Sequence, residues 1–244
     1  MSILSSCASL FVDLTSLLFP PRCAACEKEL KDGEIYICTT CRLNIPLTGF
    51  WLRSANPMAE RLRALRPQIV EASAMFYFFN NSHWRDMIHR IKYHQFWRDG
   101  YNMGRWFGLE LRRSTLYDEV DIVMATPLHP IKLFQRGYNQ SEFIARGIAR
   151  SMSLPYDGRT LYRRHHRLPQ ARSLRSERWH NMSDMFGVKK HDHLHGKHIL
   201  LVDDVFTTGA TTLACAEVIL DNIPDVRVSI VTLAASSHEL NVRM

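Results

Sequence analysis

The sequence has no apolar run near the ~20 residues that a helix needs to cross a bilayer, so no membrane span is expected. It also lacks internal repeats and low-complexity segments, which excludes a repeat architecture. The remaining composition, 46% apolar and 23% charged residues, is that of a globular protein. A length of 244 residues suits one α/β domain of ordinary size and a small additional unit.

The amino-terminal residues lack the basic segment that begins a secretory signal peptide, and they include Asp13. Their apolar side chains share one face at helical spacing, which predicts an amphipathic helix over residues 1–19. The residues on that face are Ile3, Leu4, Cys7, Leu10, Phe11, Leu14, Leu17 and Leu18. We expect this helix to dock on the protein rather than on a membrane, and we expect a cytoplasmic protein.

Acidic residues are fewer than basic ones, 24 against 31, which gives a formal net charge of +7. The imbalance is concentrated between residues 129 and 180, where eleven lysines and arginines face only Glu142, Asp157 and Glu177. Such a basic surface favours a polyphosphate ligand, a nucleic acid, or both. A cationic face that is only solvated is the alternative.

Four of the six cysteines form two Cys-x2-Cys pairs separated by eleven residues: Cys23, Cys26, Cys38 and Cys41. Two such pairs supply the four thiolates of a tetrahedral Zn2+ site, and Asp32-Gly33 provides a turn between them. The sequence therefore predicts a structural zinc ribbon over residues 20–48. Two disulfides are the alternative, which a cytoplasmic location disfavours. Because four thiolates leave no open coordination position, we expect no catalysis at this zinc.

The most informative segment is residues 199–212, which read ILLVDDVFTTGATT. Four apolar residues typical of a buried parallel strand lead into Asp203 and Asp204, then into a threonine-rich loop and a helix. The loop offers backbone N–H groups, hydroxyls and the positive end of a helix dipole to a phosphate. The two carboxylates suit sugar hydroxyls or a hard cation such as Mg2+. A site for a phosphorylated ribose is predicted here, and an ordinary helix N-cap is the alternative.

The same pattern resembles the phosphoribosyl pyrophosphate (PRPP) signature of type I phosphoribosyltransferases. That resemblance implies that Asp203 and Asp204 hold the ribose hydroxyls and that Mg2+ accompanies PRPP. It also implies that the 5-phosphate is bound by Thr207, Thr208, Gly209, Ala210 and Thr211.

A second strand–loop–helix unit precedes this one, with a strand predicted at 120–125, a loop at 126–140 and a helix at 141–149. Ligands of open α/β sheets bind at the carboxyl ends of the strands, so Arg136 and Gly137 are expected beside a polyphosphate.

Four side chains of this loop allow more than one interpretation. Asn139 and Gln140 suit either the ligand or the N-cap of the following helix. Phe134 and Tyr138 are expected to pack against the protein rather than to stack on a base.

The motif PLHP-x5-RGYNQSE, which begins at Pro127, resembles the ComF competence-protein family (ComFC, also called GntX-like). Further similarities are the LLFPP segment before Cys23, the Ile91-Lys92-Tyr93 step, and Gln170 followed by Arg178. The resemblance runs in order along nearly the whole chain. It implies a type I phosphoribosyltransferase-like parallel sheet flanked by helices over residues 49–244, with a small four-cysteine zinc ribbon before it.

Residues 156–186 show no long apolar period and resemble the mobile hood that closes over the active site of type I phosphoribosyltransferases. An arginine-rich hood can neutralise departing pyrophosphate and exclude water, and Gln170 and Arg178 are its candidate ligands. By contrast, the four histidines between residues 191 and 198 are expected to bind metals only adventitiously.

Three kinds of function remain open. An enzyme would bind PRPP·Mg2+ and transfer the ribosyl phosphate to an acceptor that no segment identifies, with Asp203, Asp204, Arg136 and Arg178 as catalytic residues. That enzyme would act in DNA handling or in nucleotide salvage. A binding module would sense PRPP or bind single-stranded DNA without turnover. A scaffold would dock on a competence helicase or a recombination factor. The resemblance to ComF implies a role in DNA uptake and transformation, on incoming single-stranded DNA in the cytoplasm.

Overall fold

A computed structural model describes residues 20–79, 82–93, 96–164, 185–240 and 242. The chain divides into two compact units between Ile45 and Pro46. The predicted amino-terminal helix and two candidate hood ligands, Gln170 and Arg178, lie outside the described residues. Within the described residues, no helix is both long and apolar enough to span a membrane.

The first unit contains the cysteine pairs and a short helix, α1 (Thr39–Leu43), which begins directly after Cys38. The turn predicted at Asp32-Gly33 is confirmed, because Glu34 N donates to Lys31 O at 2.9 Å and Gly33 has a φ of 84°. This turn reverses the chain, so that the second cysteine pair returns towards the first.

The second unit is built on a parallel sheet. In chain order its strands are β1 (Ile69–Phe78), β2 (Ile122–Ala125), β3 (Tyr156–Asp157), β4 (Leu161–Arg163), β5 (Phe186–Val188), β6 (His198–Phe206) and β7 (Arg227–Ser236). Five of them form one wholly parallel sheet in the order β1-β7-β6-β2-β3, and β4 and β5 form a separate antiparallel pair. The predicted fold class, a parallel sheet flanked by helices, is confirmed.

The helices of the second unit connect these strands. They are α2 (Pro57–Leu65), α3 (His83–Tyr93), α4 (Trp97–Arg112), α5 (Pro130–Arg136), α6 (Gln140–Met152) and α7 (Ala210–Asn222). The connection through α7 leads from β6 to β7 on one side, and the connection through α6 leads from β2 to β3 on the other. The crevice between β2 and β6 is therefore the topological switch point, where open α/β sheets bind their ligands.

Strand β6 is longer than the sequence predicts. The prediction placed Asp203 and Asp204 where the strand ends, but pairing with β7 continues to Phe206. On the opposite side, β2 ends at Ala125 beside Val202. The acids are thus inside a strand and yet open to the crevice, because their β2 neighbour has already stopped.

The predicted loop 126–140 contains a helix, α5, that the sequence does not predict. Pro130 occupies the first turn of this helix, and His129 Nδ1 accepts from Ile131 N at 3.2 Å. Gly137 ends the helix with a left-handed φ of 78°. Because α5 buries none of its residues, it has no apolar period by which a sequence would reveal it.

The sequence predicts a helix at 104–113, but α4 begins seven residues earlier, at Trp97. Glycines account for the difference. Glycine weakens a helix, but here it permits close packing of α4 on α6. A Cβ atom on Gly104 would lie 2.2 Å from Ile144 O of α6, and one on Gly147 of α6 would lie 2.2 Å from Tyr101 O of α4. The two helix backbones are therefore in direct contact.

We predict that Gly104→Ala lowers the free energy of unfolding by about 2 kcal/mol or more, because α6 has to move to accept the methyl group. Gly100→Ala in the same helix is the matched control, since its Cβ would meet a side-chain methyl of Ile91 at 3.2 Å instead of backbone. Urea unfolding of both variants measures the difference. A Gly104 variant as stable as the Gly100 variant would contradict the close contact.

Candidate functional site

Asp203 is held by three hydrogen bonds to one carboxylate oxygen. Its Oδ1 accepts from Thr126 Oγ1 at 2.7 Å, from Ser141 Oγ at 2.8 Å and from Asp204 N at 2.9 Å. Thr126 directly follows β2, and Ser141 lies in the first turn of α6. The residue is 8% exposed, and its hydrogen bonds to the loop after β2 and to α6 fix the orientation of the carboxylate.

Burial raises the pKa of Asp203 to about 6, and the neighbouring Asp204 carboxylate adds to this effect. The hydrogen bonds from Thr126, Ser141 and the Asp204 backbone act in the opposite direction. The pKa of Asp203 is therefore well above that of an ordinary aspartate, so its carboxyl group gains a proton more readily than an exposed one.

Asp204 is held by a cation and an amide. Its Oδ2 lies 3.0 Å from Lys92 Nζ of α3 and accepts from Gln140 Nε2 at 3.2 Å. Lys92 belongs to the Ile91-Lys92-Tyr93 similarity, but the sequence predicts no role for it. The contact joins residues 112 positions apart, which no local pattern reveals.

Arg136 lies in the last turn of α5. Its guanidinium carbon is 4.7 Å from the ring centre of Tyr93, and the group donates to Tyr93 Oη at 3.2 Å and to Gln140 Oε1 at 3.0 Å. Among the described residues, no carboxylate forms an ion pair with Arg136. Its charge is thus held in place by a ring and an amide, and remains available to an anion.

The four side chains of this loop for which the sequence allows more than one interpretation have different surroundings. Asn139 Oδ1 accepts from Ser141 N at 3.2 Å, so Asn139 is the N-cap of α6, whereas Gln140 bridges Arg136 and Asp204. Tyr138 is buried and donates to Ile91 O, which confirms its expected packing. For Phe134 the expectation is wrong, because this side chain is 91% exposed on a helix with no buried face.

The predicted phosphate loop leads from β6 into α7. Thr207 and Thr208 are exposed, and Gly209 has a φ of 81° before the first residue of the helix, Ala210. A Cβ on Gly209 would lie 2.7 Å from the Phe206 ring, so glycine is required here. Ala210 N is 3.4 Å from Thr208 Oγ1. The loop thus presents threonine hydroxyls at the positive end of the α7 dipole.

The two predicted loops meet at one cavity of about 250 Å³. Asp203 and Asp204 line it, together with three threonines, Thr126, Thr207 and Thr211. Four cations also line it: Lys92, Lys132, Arg136 and Arg163. The cavity therefore offers hydrogen-bond acceptors from its buried acids and an excess of positive charge from the surrounding helices.

A second cavity, of about 470 Å³, lies beside the β4–β5 pair and shares Pro127, Leu128, Asn139 and Arg163 with the first. Its cations are Arg159, Arg163, Lys189 and Lys190, and Glu142 is the acid that lines it. Burial lowers the pKa of Arg163, so an anion beside it would favour the charged guanidinium. Both cavities are thus suited to negatively charged ligands.

The four cysteines of the first unit converge. Their Sγ atoms all lie within 4.8 Å of one another, and those of Cys26 and Cys38 are 3.7 Å apart. A zinc ion with Zn–S bonds of 2.3 Å needs a separation of about 3.8 Å. None of the four forms a disulfide, and backbone N–H groups of Cys38 and Cys41 donate to Cys23 Sγ and Cys38 Sγ. This donor set fits a closed, structural zinc site.

Comparison with known proteins supports the zinc site and identifies sequence relatives. Residues 14–57 match the double zinc ribbon domain family. The DNA utilization protein YhgH of Salmonella typhimurium is 30% identical over 114 residues, which are 47% of this chain and 49% of that protein. Competence protein F of Haemophilus influenzae is 28% identical over 131 residues, 51% of this chain and 56% of that protein. The chain spans about half the length of the curated relatives it matches.

Solved structures show a distant similarity. Glutamine PRPP amidotransferase from B. subtilis aligns over 53% of this chain and 26% of its own, with a TM-score of 0.37 and 18% identity. A hypoxanthine phosphoribosyltransferase from Staphylococcus aureus aligns over 61% of this chain and 69% of its own, with a TM-score of 0.36 and 15% identity.

The sequence relatives are competence and DNA utilization proteins. Along this chain, a segment similar to the double zinc ribbon family is followed by a parallel sheet flanked by helices.

Proposed function

We propose that the protein binds PRPP in the cavity between the β2 and β6 loops, and that it acts in competence on single-stranded DNA that has entered the cytoplasm. One observation carries the proposal: two buried carboxylates and four cations line the same 250 Å³ cavity at the switch point of the sheet. A ligand with hydroxyl donors at its centre and phosphates at its ends satisfies both kinds of group.

Each part of the cavity then has a task. Asp203 and Asp204 accept from the ribose hydroxyls, and the loop from Thr207 to Thr211 binds the 5-phosphate. Arg136, with Arg178 from outside the described residues, binds the pyrophosphate. The buried carboxylates and threonine hydroxyls are hard oxygen ligands of the kind that Mg2+ takes, so PRPP would arrive with Mg2+, which neutralises pyrophosphate charge.

Turnover at this site would break the bond between C1 of the ribose and the pyrophosphate oxygen, while an acceptor nucleophile forms a bond to C1. The cations receive the leaving pyrophosphate, and the two carboxylates stabilise the positive charge that develops on the ribose ring. Non-catalytic PRPP sensing uses the same contacts without an acceptor.

The second cavity supports a polyanionic partner rather than a free, neutral base. Four cations and one acid, Glu142, line this cavity, so it has an excess of positive charge. Such a cavity would gain little from binding a neutral nucleobase, which disfavours nucleotide salvage. Helix α5 borders both cavities, with Leu133 at the second and with Lys132 and Arg136 at the first. The exposed Phe134 ring on the same helix is suited to stacking on an unpaired base, while the cations contact phosphates.

We predict that Asp203→Asn weakens PRPP binding at least tenfold, because the amide replaces one acceptor oxygen with a donor. The matched control is Asp221→Asn, at an exposed position near the end of α7 whose carboxylate pairs with Arg66. Titration calorimetry with PRPP and Mg2+ measures both variants. Unchanged affinity in Asp203→Asn would contradict the assignment of this cavity.

The same variant, Asp203→Asn, is expected to be more stable than wild type although it binds PRPP more weakly. Because the folded-state pKa of Asp203 is raised from 3.8 to about 6, its ionisation opposes folding, and this penalty is complete above about pH 6. Asp203→Asn is therefore expected to be more stable by about 2 kcal/mol near pH 8, and the gain should shrink as the pH falls towards 4. Denaturant unfolding at several pH values tests this. A variant less stable than wild type at pH 8 would indicate a mainly structural role for Asp203.

We also predict that Phe134→Ala weakens binding of single-stranded DNA by about fivefold or more, since stacking contributes roughly 1–3 kcal/mol per base. PRPP affinity should not change, because Phe134 does not line the PRPP cavity. Leu109→Ala, at another exposed apolar side chain of the second unit, is the control. Fluorescence anisotropy with an oligothymidylate is the measurement, and equal affinity of the Phe134 and Leu109 variants would exclude stacking at α5.

A further inference from the structure

A second group of metal-ligating side chains lies in the turn before β6, separate from the four cysteines. One ligand atom each of His191, Asp192 and His195 lies within 4.8 Å of the other two. The two imidazole ring centres are 5.8 Å apart, with an angle of 31° between the ring planes. The sequence shows four histidines here and predicts only adventitious metal binding, whereas the structure brings two of them together with a carboxylate.

The turn that carries these ligands is fixed by its own contacts. Leu194 is completely buried, and its N–H donates to His191 O at 2.8 Å. Gly196 N donates to Pro224 O at 3.2 Å, which ties the turn to the connection between α7 and β7. The ligands therefore project from an anchored backbone, which reduces the ordering needed to bind an ion.

Partners separate the four histidines of this segment into two groups. His193 Nε2 lies 3.0 Å from Asp157 Oδ2, and His198 Nε2 lies 2.8 Å from Ser229 Oγ. Nδ1 of His191 and Nδ1 of His198 are both buried atoms with no hydrogen-bond partner among the described residues, but His198 is held through its Nε2 whereas His191 has no such contact there. A buried imidazole nitrogen without a partner is unfavourable, and a bound cation would satisfy it.

We propose that His191, Asp192 and His195 bind a divalent transition metal of the Zn2+ type. Two imidazoles and one carboxylate are ligands that Zn2+, Co2+ and Ni2+ accept, and a three-residue set leaves a coordination position for water. About 16 Å of strand separates the amino end of β6 from Asp203, so this metal is not part of the PRPP cavity. Its effect is to hold the turn from which β6 enters the sheet, and the proposal does not depend on PRPP binding.

Titration of the zinc-loaded, full-length protein with Co2+ tests the proposal. We expect a second metal equivalent with micromolar affinity and visible d–d absorption, without the near-ultraviolet charge-transfer bands that thiolate ligands produce. His191→Ala and His195→Ala should each weaken this second equivalent at least about tenfold, while the zinc held by cysteine stays at one per chain. His193→Ala is the matched control from the same turn and should bind Co2+ like wild type.

Thermal unfolding distinguishes a variant that has lost a metal-ligating side chain from one that has lost its fold. Without added metal, the variants should unfold close to wild type, and only wild type and His193→Ala should gain Tm when Co2+ is added. The proposal is overturned if no second equivalent binds up to about 100 μM Co2+, or if His193→Ala weakens binding as much as His191→Ala does. His191→Gln keeps a polar side chain and should also lose the second equivalent; full retention would contradict the assignment.

Discussion

The structure around the sheet depends on one electrostatic constraint, the burial of two adjacent carboxylates, Asp203 and Asp204. Neighbouring negative charges away from water are unfavourable unless other groups compensate them. Here three elements supply the compensation: the end of β2 through Thr126, the start of α6 through Ser141 and Gln140, and α3 through Lys92. Each must lie beside β6 at hydrogen-bonding distance. A protein that needed only stability would do better with apolar residues there, and this supports the ligand site proposed for the pair.

Around these acids, the chain arranges charge in layers. The carboxylates lie deepest, on the central strand, and the cations come from helices and from the β4–β5 pair at the rim. The cations at the rim therefore attract an anion. The carboxylates below them repel a phosphate group but accept hydrogen bonds from the polar centre of the ligand. Since α5 has no buried face, its apolar side chains lie at the surface rather than in the core. This placement lets one short helix contribute to two cavities at once.

Features that depend on local chemistry are predictable from this sequence, and features that depend on distant contacts are not. The sequence predicts a helix at 57–65, because Pro57 and the apolar spacing after it define a helix start, and α2 has these bounds. The acid pair and the cysteine pairs were visible as motifs. The partnership of Lys92 with Asp204 requires the tertiary fold. The length of β6 was underestimated because two aspartates look like a strand end until β7 pairs with them. The start of α4 was misplaced because its glycines have the same local signature whether they break a helix or permit close packing.

The backbone contact between α4 and α6 has a consequence for how this chain tolerates change. Gly104 meets α6 at Ile144, one turn from the residues that hold the acid pair. A displacement of α6 would therefore reach the cavity without any substitution inside it. Under random mutagenesis, the sensitivity of the cavity to substitutions should not decline smoothly with their distance from it. It should recur at these glycines, where a single methyl group on the far side of a helix changes the geometry of a site that it never touches.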